Sequence, residues 1–151
     1  MRLSARVDYA LRAVVELATA VEGPLTAERI AKAQEIPPKF LESILLQLRR
    51  GGVVHAQRGP EGGYWLARPA GEITLADVIR AIDGPLAGVR DDAPEDVTYP
   101  GVAASLREVW VALRASMRSV LEAVTLADVA AGRLPAAVRR RLRDPGAWSR
   151  R

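Results

Sequence analysis

The side chains able to do chemistry are few, and they gather in three places. The stretch RGPEGGYWLARP, residues 58–69, sets an arginine, a proline and three glycines at a tip, with a tyrosine and a tryptophan directly behind. A glycine-rich loop cradles phosphate when its glycines open a helix whose N-terminus faces the anion. Here the aromatic, apolar YWLA follows, so the glycines read as a hairpin turn between two short strands. The only histidine, His55, lies in the apolar run VVHAQ, where alternation sends its ring to the surface. With no second imidazole and no cysteine anywhere, zinc ligation and thiol nucleophiles are out of reach, and the chain does not read as an enzyme. Asp91, Asp92, Glu95 and Asp96 hold enough oxygens for a hard cation. They lack the alternation and turn glycine of a calcium loop and read as a solvated acidic loop, so no metal and no cofactor is expected.

Lys39, Glu42 and Ser43 remain, spaced to share one side of a helix opposite Phe40, Leu41, Ile44 and Leu45. Their groups suit base edges: an ammonium donates to guanine, and a carboxylate accepts from cytosine N4. Arg49 and Arg50, at the far end of the same segment, suit phosphate.

The elements that would position these groups follow from periodicity. Residues 3–21 place Leu3, Val7, Leu11, Val14, Ala18 and Val21 at helical intervals until Gly23 and Pro24. Thr26 caps a second helix running to about Gln34. EIPPKFLESILLQLRRGG restarts a third: prolines in its first turn, a buried stripe of Phe40, Leu41, Ile44, Leu45 and Leu48, and Gly51 and Gly52 as the stop. The short connection between the second and third is that of a helix-turn-helix. Strands VVHAQ and GYWLA follow, with Tyr64 and Trp65 on opposite faces, one of them expected to pack on the third helix. Thr74 caps a fourth helix, and 85–101 reads as a loop. From Val102 to Val124 apolar residues recur for more than twenty positions, predicting one helix roughly 35 Å long. No internal repeat is read. Past Gly132 the basic RLPAAVRRRLRDPGAWSRR is either a disordered end or a DNA-contacting arm, with at most one helical turn before Pro145.

At 151 residues and 49% hydrophobic the chain suits one folded unit with an extension. Its charge is uneven: +3 over residues 1–70, −5 over 71–132 and +6 over 133–151. Arginine outnumbers lysine twenty to two, which fits a GC-rich genome. Arg2, Arg6, Asp8 and Arg12 interrupt the N-terminal apolar positions, so neither a signal peptide nor a membrane span is read and a cytoplasmic place is expected.

Helix, helix, helix, hairpin is the winged helix-turn-helix order, in which the third helix enters the major groove. The expected fold is therefore mainly α with a small β-hairpin: a DNA-binding domain over 1–84, an acidic linker loop over 85–100, a dimerisation helix over 101–131 and a basic tail over 132–151. The candidate DNA-contacting set is Pro38, Lys39, Phe40, Glu42, Ser43, Arg49 and Arg50, with Arg58 and Gly59 in the wing, Arg58 reaching into a minor groove. The candidate dimer stripe is Val102, Leu106, Val109, Trp110, Leu113, Met117, Val120, Leu121 and Val124. The expected partners are double-stranded DNA with a pseudo-palindromic operator and a second copy of the chain. A protein-docking winged helix without DNA affinity is the alternative, as is a small-molecule sensor with its site at the dimer seam.

The segments RLSARVDYALRAVVELA, LTAERIAKAQEIPPKFLESILLQLRRGGVV, RGPEGGYWLARP and ITLADVIRAIDGP, with VWVAL and TLADV later, resemble the bacterial Rrf-two (Rrf2) family of winged-helix transcription regulators. The resemblance covers residues 1 to about 131. It implies a homodimeric repressor, with Lys39, Glu42 and Ser43 as DNA readers and Arg58 in the wing. Many members hold an iron-sulfur cluster on three cysteines before the long helix, an acidic residue of the first helix completing the site. Asp8 stands in that first helix, but VRDDAPEDVTYPGVAASLRE has no cysteine, so the resemblance is to a cysteine-free member and no cluster is expected. Asp8 is then an exposed or salt-bridged helix residue. A small-molecule effector, if the regulator has one, is expected at the 85–101 loop or the dimer seam.

Overall fold

The computed structural model of the chain describes residues 2–150, and three helices form within its first fifty, the second under the expected Thr26 cap. Helix α1 (Ala5–Ala18) begins where the Ser4 hydroxyl accepts from the Val7 amide at 3.1 Å, and α2 (Ala27–Gln34) where Thr26 accepts from Arg29 at 3.3 Å. Helix α3 (Pro38–Arg50) carries Pro38 in its first turn, where a missing N–H costs no intrahelical bond, and stops at Gly51. Leu3 and Val21 fall outside α1, contrary to the expected 3–21 span. Ser4 caps the helix after Leu3 and Thr19 closes it before Val21, and both are exposed.

The core forms where the three helices meet. Val14, Ile30, Leu41, Ile44, Leu45 and Leu48 are fully buried, each contributing roughly 1.5–3 kcal/mol. Phe40, counted in that buried stripe by its spacing, is 54% exposed instead. It stands at the flank of the stripe, one residue before the fully buried Leu41, and leans on Tyr9 with ring centres 6.3 Å apart.

Strands β1 (Val54–Gln57) and β2 (Gly63–Leu66) pair antiparallel, Val54 opposite Leu66 and Gln57 opposite Gly63. Tyr64 points inward and Trp65 outward, the latter 5.8 Å from the exposed ring of His55. The inward Tyr64 meets the core cluster to which α3 contributes Leu41, Ile44, Leu45 and Leu48. Its strand lies on α1, and Tyr64 exchanges backbone hydrogen bonds with Leu25 at 2.8 and 3.0 Å, while β1 packs on α3. Helix α4 (Leu75–Asp83) closes the domain under a Thr74–Asp77 capping box.

The long helix expected from Val102 to Val124 is broken. Residues 101–103 form a 3-10 turn, α5 spans Leu106–Leu121, about 24 Å, and a separate α6 spans Leu126–Ala130. The break is chemical: Thr125 and Asp128 form a second capping box, which starts a helix rather than continuing one. TLADV at 125–129 repeats TLADV at 74–78, so the reading of no internal repeat is also corrected. The two copies clasp: Leu75 N–H donates to the Val124 carbonyl at 3.0 Å, and Leu126 N–H donates to the Ile73 carbonyl at 2.9 Å. Val124 is therefore 3% exposed inside its own chain and is withdrawn from the dimer stripe.

In the tail, α7 (Ala136–Leu142) has two turns where one at most was expected. The Arg141 guanidinium donates to Ser119 Oγ of α5 at 2.9 Å, and the Trp148 indole N–H donates to the Leu142 carbonyl at 2.7 Å.

The clasp titrates. Hydrogen bonds from the Thr125 amide and hydroxyl hold the Asp128 carboxyl below its ordinary 3.8. A carboxyl that binds its proton less readily when folded stabilises the fold above its ordinary pKa. That contribution fades as pH falls through the lowered value. The stability difference between wild type and Asp128→Asn in urea titrations should accordingly shrink as pH is taken below about 4.

Candidate nucleic-acid interface

With Leu41, Ile44, Leu45 and Leu48 turned inward, the opposite face of α3 is fixed in solvent. Pro38, Lys39, Phe40, Glu42, Ser43, Arg49 and Arg50 all stand exposed along it. Leu46 shares that face and is 44% exposed, a residue the sequence reading passed over although it stands three and four positions from Ser43 and Glu42. Among the described residues none of Lys39, Glu42, Arg49, Arg50 or Arg58 is ion-paired, so each charge is available to a ligand.

The turn before α3 sets its approach. Glu35 takes a left-handed conformation (φ 51°), and the Ile36 amide bonds back to the Ala31 carbonyl at 2.9 Å, ending α2 and turning the chain within three residues. Arg12 donates to the Gln34 carbonyl at 2.7 Å and stacks over Tyr9 at 5.1 Å, and Gln34 donates to Glu16 at 2.7 Å. Arg6 donates to Gln47 of α3 at 2.5 Å. Polar bonds from α1 thus reach both α2 and α3, and the Tyr9 ring supports Phe40.

The hairpin tip is held by backbone geometry. A Cβ on Gly62 would lie 2.2 Å from the Gln57 carbonyl oxygen, and Gly63 (φ 148°) passes so close to Leu25 that a Cβ would lie 2.6 Å from its carbonyl. Arg58 and Gly59 stand exposed at the tip, beside Glu61. Gly62→Ala should therefore distort the tip and lower DNA affinity while shifting Tm by only a few degrees, because the tip lies outside the core. Paired melting and binding measurements would show the split.

Four cations on one exposed helix face and the adjoining hairpin make a surface complementary to a polyanion. The sequence profile of the Rrf2 family, described as iron-dependent transcriptional regulators, matches residues 3–132. The chain belongs to the Rrf2 family. An HTH-type transcriptional regulator of Mycobacterium tuberculosis, Rv1287, is 57% identical over 136 residues, covering 89% of this chain and 84% of that one. The regulator CymR of Bacillus subtilis is 33% identical over 134 residues, 86% of this chain and 90% of that one. In structure, the global cysteine regulator CymR of B. subtilis superposes with a TM-score of 0.74 at 32% identity over 87% of this chain and 98% of that one. IscR of T. potens follows with a TM-score of 0.69 at 26% identity, covering 100% and 93%. This Rrf2 chain is accordingly a transcriptional regulator with a DNA-binding helix-turn-helix fold, mainly helical with a two-stranded wing, and not an enzyme.

An iron-sulfur cluster does not fit the residues present. The loop after α4 offers carboxylates and guanidiniums where thiolates would be required, and Asp8 is turned to Arg12 at 3.6 Å. Among the described residues no helix is long and apolar enough to cross a membrane.

Proposed function

We propose that the protein works as a homodimeric repressor that reads a pseudo-palindromic operator, α3 in the major groove and the wing in the minor groove. The observation that carries this reading is the unpaired, exposed α3 face of Lys39, Glu42, Ser43, Arg49 and Arg50 beside Arg58 of the wing. Lys39 and Glu42 stand in the first turns of α3, where recognition helices meet base edges, and Arg49 and Arg50 at its end meet phosphate. Arg58 enters the narrow, negative minor groove.

Dimerisation is supported by α5, none of whose residues is buried in its own chain. Leu106 is 39% and Val109 52% exposed, Val102 lies fully in solvent just before the helix, and Trp110, Leu113, Met117 and Val120 are only part-covered. Leu121 leans on the Val7–Ile79 cluster and serves its own chain as well. A second α5 across this stripe would bury it and set two α3 helices roughly 34–36 Å apart, one turn of DNA. Repression then needs only occupation of the promoter.

Selection from a random duplex library at low and moderate salt, with sedimentation of the free protein, tests the reading. It expects a palindromic motif and a two-chain particle. A monomer that enriches no duplex would overturn it and favour protein docking. Arg58→Ala should weaken operator binding roughly 10-fold and lower the slope of log K against log salt by about 1.

A further inference from the structure

Between the C-terminus of α4 and the middle of α5, the chain from Pro85 to Pro94 arches over a cavity of about 430 Å³, within the size range of small-molecule sites. Its charged wall is Asp83, Arg90, Asp91, Asp92, Arg114 and Arg118. These are three carboxylates and three guanidiniums, and none pairs with another of the six within 4.0 Å. Arg114 is held at 2.5 Å by Glu95, whose carboxyl that hydrogen bond pulls below its ordinary range. Arg118 has only a 3.8 Å contact with Glu122, and Arg90 stacks 5.9 Å over the Tyr99 ring with no ion pair. Asp83 accepts from Ser4 Oγ at 3.0 Å, and Asp91 and Asp92 have no cationic partner among the described residues.

Opposite charges lining one cavity without neutralising each other select against simple ions. An anion would meet three carboxylates and a cation three guanidiniums, whereas a molecule bearing both charges satisfies both. Ala87 and Gly88 of the same arch also line a second, apolar cavity of about 250 Å³ with Val89, Trp110 and Leu113. The indole N–H of Trp110 is tied to the Tyr99 hydroxyl at 2.9 Å, which fixes the ring.

We propose that this pair of cavities binds a free α-amino acid with an aliphatic or aromatic side chain. The ammonium faces Asp83, Asp91 and Asp92, the carboxylate faces Arg90 and Arg118, and the side chain crosses Ala87 and Gly88 to the Trp110–Leu113 cavity. The ligand would touch the end of the DNA-reading domain and the dimer helix together. Its use as a regulatory input rests on the function proposed above, and requires that it bind the operator-competent and incompetent arrangements unequally.

The test uses the full chain without DNA. Thermal melts with each proteinogenic L-amino acid at millimolar concentration are followed by calorimetric titration of those that stabilise. At a hundredfold excess over Kd, one or more of L-leucine, L-isoleucine, L-valine, L-methionine and L-phenylalanine should raise Tm by about 5–10 °C. Isocaproate and isoamylamine, leucine without its ammonium or its carboxylate, should not. Arg118→Ala and Asp92→Asn, both exposed, should each weaken binding about 10-fold or more and leave the unliganded Tm unchanged. No stabilising amino acid, equal binding of isocaproate, or unchanged affinity in both variants would overturn the site. A chain that binds the amino acid but enriches no duplex keeps the site and loses the operator reading. A chain that enriches its operator and ignores every amino acid does the reverse.

Discussion

Val109→Asp combined with Leu106→Asp should leave the fold intact, convert the protein to a single subunit in sedimentation, and lower affinity for the full operator by about 10²–10⁴-fold. Both side chains are exposed in the isolated chain, so the aspartates displace no core atom and the helical circular dichroism should be retained. The loss arises in the assembly. Two carboxylates facing their symmetry mates across an apolar seam are desolvated without partners, and two-site binding collapses to one. A duplex carrying one half-site should bind wild type and variant equally, because the α3 face and wing are untouched. A variant that remains dimeric, or a monomer that holds the full operator with wild-type affinity, would remove α5 from the seam.

Most of the DNA-reading domain was legible in the sequence because each of its elements carries a local stop and start. Thr26, Thr74, Pro38 and Gly51 fix the helix ends, and the glycines of 59–63 fix the turn. The face of α3 followed from the inward stripe. What failed did so where periodicity runs on across a chemical boundary. Val120, Leu121, Val124 and Leu126 keep helical spacing, yet Thr125 and Asp128 cap a new helix between them. The clue was present: the pentapeptide TLADV, read correctly as a helix start at Thr74, recurs at Thr125. Phe40 failed for another reason: it stands at the flank of the stripe, one residue before the fully buried Leu41, where the Tyr9 ring of α1 meets it. The tail helix lacks a side-chain cap and was legible only as charge.

The clasp between the two TLADV segments gives α5 a mechanical bearing on the helix-turn-helix. Leu126 is fully buried in the main core, Leu75 packs at its edge, and reciprocal backbone bonds join their segments, so the end of α5 is anchored to the start of α4. Arg80 pairs with Glu122 just outside the clasp. A rod anchored in this way transmits its orientation to α1 and α4, and so to α3. A flexible hinge at 122–125 would lose that orientation.

Base selection gives the second large effect. Glu42→Ala should relax preference at one base pair in each half-site, symmetrically, by about 1–3 kcal/mol of discrimination, while total affinity for non-operator DNA stays equal or rises. The asymmetry has a physical cause. An unpaired carboxylate on a face otherwise set with Lys39, Arg49 and Arg50 repels every phosphate and is tolerated only where it accepts from a base. Removing it costs the matched cytosine a hydrogen bond and relieves every mismatch. Lys39→Ala should behave oppositely in the second respect, losing both guanine preference and non-specific affinity because the same charge serves both. Parallel selections on the two variants separate these outcomes. If Glu42→Ala returns the wild-type motif at every position, α3 is not the reading helix, whatever affinity remains.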